Sequence, residues 1–137
     1  MYLLIILVLP FIGSLLSSLL PASQRTFHAL LAGVVAASCA LFTLFCTPAI
    51  FNGEVLLYST RWIPTHGIDF TLRMDGFAWL FSLIVSVMGA LIALYAHYYL
   101  SPKDPARRFF AFLQAFMGSM LGVVISGNLI QLVVFWE

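Results

Sequence analysis

Long apolar runs alternate with short polar connections along the chain. Uncharged, mostly apolar residues fill positions of about 2–20, 28–50, 77–100 and 109–125, and a further run opens at Asn128 and closes on Glu137. A helix needs about 20 such residues to cross a bilayer, where backbone groups have no water to bond, so each run predicts a spanning helix. The run over 128–137 predicts the start of a fifth. Only the connection 51–76 changes period. There Ile68, Phe70, Leu72 and Met74 alternate with Asp69, Thr71, Arg73 and Asp75, positions 55–63 are rich in strand formers, and "PTHG" separates the two stretches. This pattern predicts a β-hairpin that packs as a lid over the helix ends or against a neighbouring subunit. The expected fold is thus an all-α polytopic membrane protein, one membrane domain over 1–137. It has four transmembrane helices plus the start of a fifth, and a small extracytoplasmic β-hairpin between helices 2 and 3.

Composition sharpens the class. Hydrophobic residues are 63% of the 137 and charged ones 8%, against roughly 45–50% and 25% in soluble domains, which places the chain in a membrane. A formal net charge of +1 leaves no basic surface for nucleic acid. Cys39 and Cys46 stand about 10 Å apart along one helix, too far for a disulfide, and read as packing residues. Small residues Gly33, Ala37 and Ala40, and the pair Gly118 and Gly122, read as close helix packing in preference to a dimerisation signal. His66 lies in the turn without a suitably spaced second ligand and reads as solvated, so no metal site is expected. No Lys or Arg precedes Arg25, so the first run is a retained helix and not a signal peptide.

The charges orient the helices. Arg25 lies in the first short connection and Lys103, Arg107 and Arg108 in or beside the third, whereas 51–76 carries Arg61 and Arg73. The positive-inside rule puts the two short connections in the cytoplasm and the amino terminus outside, in the cell (inner) membrane. Tyr95, Tyr98 and Tyr99 then mark the inner interface, and His97 among them reads as an interfacial histidine before a proton relay. In "SPKDPARR", Asp104 suits an N-cap and Pro105 the first helical position. Gly127 suits a left-handed helix end, and Asn128 with Gln131 resembles a capping box.

Glu137 is the candidate functional residue. About nine residues into the fifth helix, it stands roughly 13–14 Å deep in a core about 30 Å thick, near the midplane. A charge there costs at least about 2.5–3.5 kcal/mol on insertion scales, so the carboxyl must be protonated, paired or open to water, and such residues mark ion pathways. The usual partner is a Lys, Arg or His at membrane depth. Lys103, the one lysine, and all five arginines are in connections or at helix ends. The partner is therefore expected from another subunit or from further sequence, and because the fifth run is cut mid-span the 137 residues read as the first part of a longer chain.

"MDGF" opening a helix, "YYLSPKDPARRFFAFL" across the third connection, and "GNL" followed by "FWE" resemble the amino-terminal part of a known family. These are the antiporter-like subunits of respiratory complex I (chain-5 type) and of Mrp-type multisubunit cation/proton antiporters. Complex I relatives usually carry an acidic residue where Gly127 stands and glycine where Phe135 stands, so the resemblance is closer to the large A-type subunit of the Mrp antiporters. It covers 73–137 well and the earlier segments through order and spacing. It implies a subunit of a monovalent cation (Na⁺ or K⁺)/proton antiporter, a secondary transporter and not an enzyme, with other subunits of the complex, lipid, monovalent cations and protons as partners and no bound cofactor. It carries to Glu137 the role of the fifth-helix carboxylate of the ion path, paired in the family with a lysine on a later helix. Two other readings remain: a proton-pumping subunit of a complex I-type NADH:quinone oxidoreductase, and a non-transporting assembly or scaffold segment. No G-x-S-x-G, P-loop or ligand cluster supports hydrolytic, nucleotide-binding or metal-dependent chemistry.

Overall fold

A computed structural model describes residues 1–137, apart from the side chain of His66, so that position's expected solvation lies outside the described residues. The elements run α1 (Tyr2–Leu19), α2 (Arg25–Phe45), α3 (Thr47–Phe51), β1 (Leu56–Ile63), β2 (Ile68–Met74), α4 (Gly76–Tyr99), α5 (Ala106–Ile125) and α6 (Leu129–Trp136). Four segments are long and apolar enough to cross a membrane: Tyr2–Leu19, Arg25–Phe51, Gly76–Tyr99 and Ala106–Ile125. The chain is therefore a mostly helical, multi-pass membrane protein with a small antiparallel hairpin, as its pattern of apolar and polar positions predicts. Successive spans run antiparallel. The α1 helix packs on α2 and α5, and α4 on α2 and α5, closing a four-helix bundle against which α6 lies along α5.

Proline sets two of the helix details. Pro10 has no N–H for the Ile6 carbonyl, and the thiol of Cys39 on α2 donates to that oxygen at 3.7 Å, within reach for sulfur. Pro48 likewise cannot donate to Leu44, and here the expected single run over 28–50 divides. It begins earlier, at Arg25, and breaks at Cys46, whose N–H turns to Thr43 O at 3.1 Å. The indole of Trp79 on α4 donates to Thr43 O at 3.1 Å and lies 3.2 Å from Thr47 Oγ1, bracing the break.

The hairpin closes one end of the bundle. Leu57 pairs with Arg73 and Ser59 with Thr71, with a bulge between Arg61 and Ile63. Pro64–His66 form a single 3₁₀ turn, and Gly67 takes φ 65°, a left-handed conformation that suits glycine. Alternation along β2 then does what period two requires: Leu72 and Met74 are both 0% exposed, packed with Leu3, Ile6 and Leu7 of α1 and Leu121 and Ile125 of α5. The hairpin is thus a lid on its own helix ends.

At the opposite end the two short connections meet. Asp104 does not cap α5 as expected. Its Oδ2 folds back to accept from Ser101 N at 2.7 Å, Pro105 takes the cap position, and Ala106 is the first helical residue. Arg25, at the start of α2, donates to Ser101 O at 2.6 Å and to Leu100 O, two carbonyls at the end of α4 that no helical N–H reaches. A cation there also complements the negative end of the helix dipole. Tyr95, Tyr98 and Tyr99 stand exposed just above. Arg25→Ala should lower stability by about 1–2 kcal/mol, read as an earlier thermal midpoint in detergent. Arg25→Lys should recover only part, because one ammonium does not fork over two carbonyls. An unchanged midpoint for Arg25→Ala would show that the contact contributes nothing.

Candidate functional site

Glu137 closes α6, its N–H donating to Val133 O at 3.0 Å, so it keeps the phase of the helix. Its depth follows from Phe135. That ring stacks on Phe11 with centroids 6.5 Å apart and lies over Gly122, where an added Cβ would meet the ring carbons. Phe11 is midway along α1, and Glu137 is about 3 Å further along α6 than Phe135 at 1.5 Å per residue. The carboxylate therefore sits at the half-depth of the bundle.

Its direction follows from the helix period. Gln131, buried at 1% exposure, and Phe135 define the face of α6 that packs on the bundle. At 100° per residue, Glu137 points roughly 140° away from the centre of that face. It shares the outer side of α6 with Val133, Val134 and Trp136, all more than half exposed. Its carboxylate turns away from α1 and α5, and among the described residues the ion pair present is Arg73–Asp75, at 3.3 Å, on the hairpin. No charge partner for Glu137 stands among the described residues of α1 to α5.

The start of α6 is built differently from the expected motif. Gly127 has no positive φ. It is glycine because the chain passes against β2: its N–H donates to Thr71 O at 2.7 Å, and a Cβ would fall 2.6 Å from Thr71 Cγ2. Asn128 caps the helix, Oδ1 accepting from Gln131 N at 2.8 Å. The reciprocal half of the capping box is missing, because the Gln131 side chain reaches the hairpin instead, Oε1 accepting from Thr71 N at 3.0 Å. Asn128 Nδ2 also donates to Asp69 O at 2.8 Å.

Other polar groups inside the bundle were not singled out by pattern. Gln114, 1% exposed, donates from Nε2 to Ser17 Oγ at 2.9 Å and Phe110 O at 3.2 Å, and Ser14 Oγ donates to Ala111 O at 2.7 Å, linking α1 to α5. Buried His28 shares a hydrogen bond with Pro21 O at 3.0 Å. A polar residue inside an apolar run is the signal that marks Ser14, Ser17 and Gln114, since such side chains bond across membrane helices. His97 is half-buried against Tyr98 and lines a groove of about 390 Å³ between α2 and α4 with Ala29, Gly33 and Ala93. Gly118 packs on Phe11 and Gly122 on Phe135, whereas Gly33 faces open space. No group of three or more possible metal ligands occurs among the described residues.

Comparison with known proteins gives these positions a context. Residues 62–110 match the family model described as NADH-ubiquinone oxidoreductase (complex I), chain 5 N-terminus. A probable K⁺/H⁺ antiporter A/B-type subunit of Rhizobium meliloti (strain 1021) is 52% identical over 133 residues, 97% of this chain. The chain is homologous to the A-type subunits of Mrp antiporters. The A-type subunit of an Na⁺/H⁺ antiporter from Alkalihalophilus pseudofirmus is 46% identical over 87 residues, 63% of this chain and 11% of that protein. Among solved structures, the Mrp complex from Dietzia sp. DQ12-45-1b superposes with a TM-score of 0.78 and 27% identity, covering 100% of this chain and 15% of the matched one. The chain thus spans 13% of the length of the Rhizobium relative.

If the Gly122 contact seats α6, Gly122→Ala should push the Phe135 ring outward and speed amide exchange across α6 by roughly tenfold or more in detergent. Adding Phe135→Leu should slow it again. Equal exchange in Gly122→Ala and the parent would show that α6 is held elsewhere.

Proposed function

We propose that these helices belong to a subunit of a multisubunit antiporter that exchanges Na⁺ or K⁺ for protons, and that Glu137 takes up and releases a proton on its ion path. The observation that carries this reading is the carboxylate at half-depth of an apolar bundle, turned outward from α1 and α5. A charged carboxylate in hydrocarbon costs at least about 2.5–3.5 kcal/mol, so it persists only where a partner or water compensates it. A cation brought near the outer face of α6 holds the carboxylate ionised, and its withdrawal favours protonation. Alternation between those states couples proton movement to the cation's. The relatives named as K⁺/H⁺ and Na⁺/H⁺ antiporter subunits support the same chemistry, and the reading makes the protein a secondary transporter subunit, not an enzyme. The positive residues at the Arg25 and Lys103 end support a cytoplasmic position for that end under the positive-inside rule, and with it an amino terminus and hairpin on the outer side of the cell membrane.

The match to the complex I chain 5 model favours a second reading, a proton-pumping subunit of a quinone-reducing complex. Transport driven by an imposed cation gradient without electron donor separates the two. Glu137→Gln, in everted vesicles holding the assembled transporter, should lower cation/proton exchange by about tenfold or more, about 1.4 kcal/mol of barrier. Exchange at the parent rate with assembly intact would sink the proposal.

A further inference from the structure

We propose that the β1–β2 hairpin is a positioning element for Glu137, acting through Gln131 and Thr71 to fix the rotation of α6 about its own axis. The inference rests on the role proposed for Glu137 and names what sets that carboxylate's direction. The rotation of α6 (Leu129–Trp136) against its neighbours sets where that carboxylate points, and contacts outside the helix fix that rotation. Two anchors do so. One is the apolar seat of Phe135 over Gly122, which tolerates sliding and rolling because it is non-directional. The other is the bonded edge of β2, and it is directional.

Thr71 faces that edge with both backbone groups: its carbonyl accepts from Gly127 N at 2.7 Å and its N–H donates to Gln131 Oε1 at 3.0 Å. Leu72 forms a bridge with Ser126 alongside, and Asn128 bonds Asp69 O. The strand end is itself anchored, since Leu72 and Met74 are fully buried in the core. Of these contacts, Gln131–Thr71 is the one made by a side chain within the turns of α6, so it resists rotation of the helix where the backbone contacts of Gly127 resist displacement of its start. Side chains ride about 5–6 Å from the helix axis, so a roll of about 20° carries the Glu137 carboxylate roughly 2 Å. That is a large change for a group whose proton affinity depends on a charge a few ångströms away.

The test uses the assembled transporter in everted vesicles and reads exchange as a function of pH. Gln131→Met keeps the side-chain length and removes the acceptor. It is expected to leave assembly intact and to shift the pH of half-maximal exchange by roughly half a unit or more. Thr71→Pro removes the same bond from the hairpin side. It spares the β1 ladder, because the lost N–H faces α6, and it should shift the profile in the same direction. The double variant should do no more than the larger single one, as expected of two changes to one contact. A parent-like profile in assembled Gln131→Met overturns the inference. Should that variant fail to assemble, a parent-like profile in Thr71→Pro overturns it equally. The two proposals fail separately: full exchange in Glu137→Gln removes the role of the carboxylate. Loss of exchange in Glu137→Gln together with parent-like profiles in the hairpin variants removes only the positioning by Thr71 and Gln131.

Discussion

The hydrogen bonds between the outer edge of β2 and the turn from α5 to α6 are the contacts on which the rest of the arrangement depends. A strand edge presents unpaired N–H and C=O groups, and burying them unbonded is costly. Here the exposed edge of a two-stranded sheet meets the unsatisfied start of α6, and each completes the other. Gly127 approaches because it has no Cβ, Gln131 bends back from its own helix, and Asn128 serves both its cap and Asp69. The hairpin is thereby part of the membrane domain's wall and not an appendage.

Lipid imposes the same accounting throughout the bundle. Carbonyls freed by proline or by a helix end find donors from other elements, Cys39 for Ile6 and Arg25 for Leu100, and the Trp79 indole adds a second donor at Thr43. Some interior polar side chains bond back within their own helix, as Thr43 and Ser86 do, while the bond from Gln114 to Ser17 runs between helices. Against that background Glu137 stands apart as an ionisable group at half-depth, facing away from the described helices.

Much of this was legible along the chain, and the division has a physical cause. Apolar length marked the spans, and alternation from Ile68 to Met74 marked both the hairpin and its buried face, because period and length are local. The depth of Glu137 could be counted from Asn128 at a fixed rise per residue. Its direction could not, since it depends on Gln131 bonding a strand 60 residues earlier. Local rules read Gln131 as a capping box, Gly127 as a left-handed stop and Asp104 as an N-cap. In each case a partner elsewhere, or a turn folding backward, used the residue otherwise. The break at Cys46 was hidden because a proline such as Pro48 can also be tolerated as a kink, and the Trp79 brace on Thr43 comes from another helix.

If Glu137 takes up and releases a proton in transport, a carboxyl group at half-depth on the outer face of α6 must change protonation. Infrared difference spectroscopy of the reconstituted transporter across a pH titration tests this most directly. A carbonyl stretch from a protonated carboxyl should rise as pH falls and be absent in Glu137→Gln. The same band at full amplitude in Glu137→Gln would contradict it, and would assign the titrating group elsewhere.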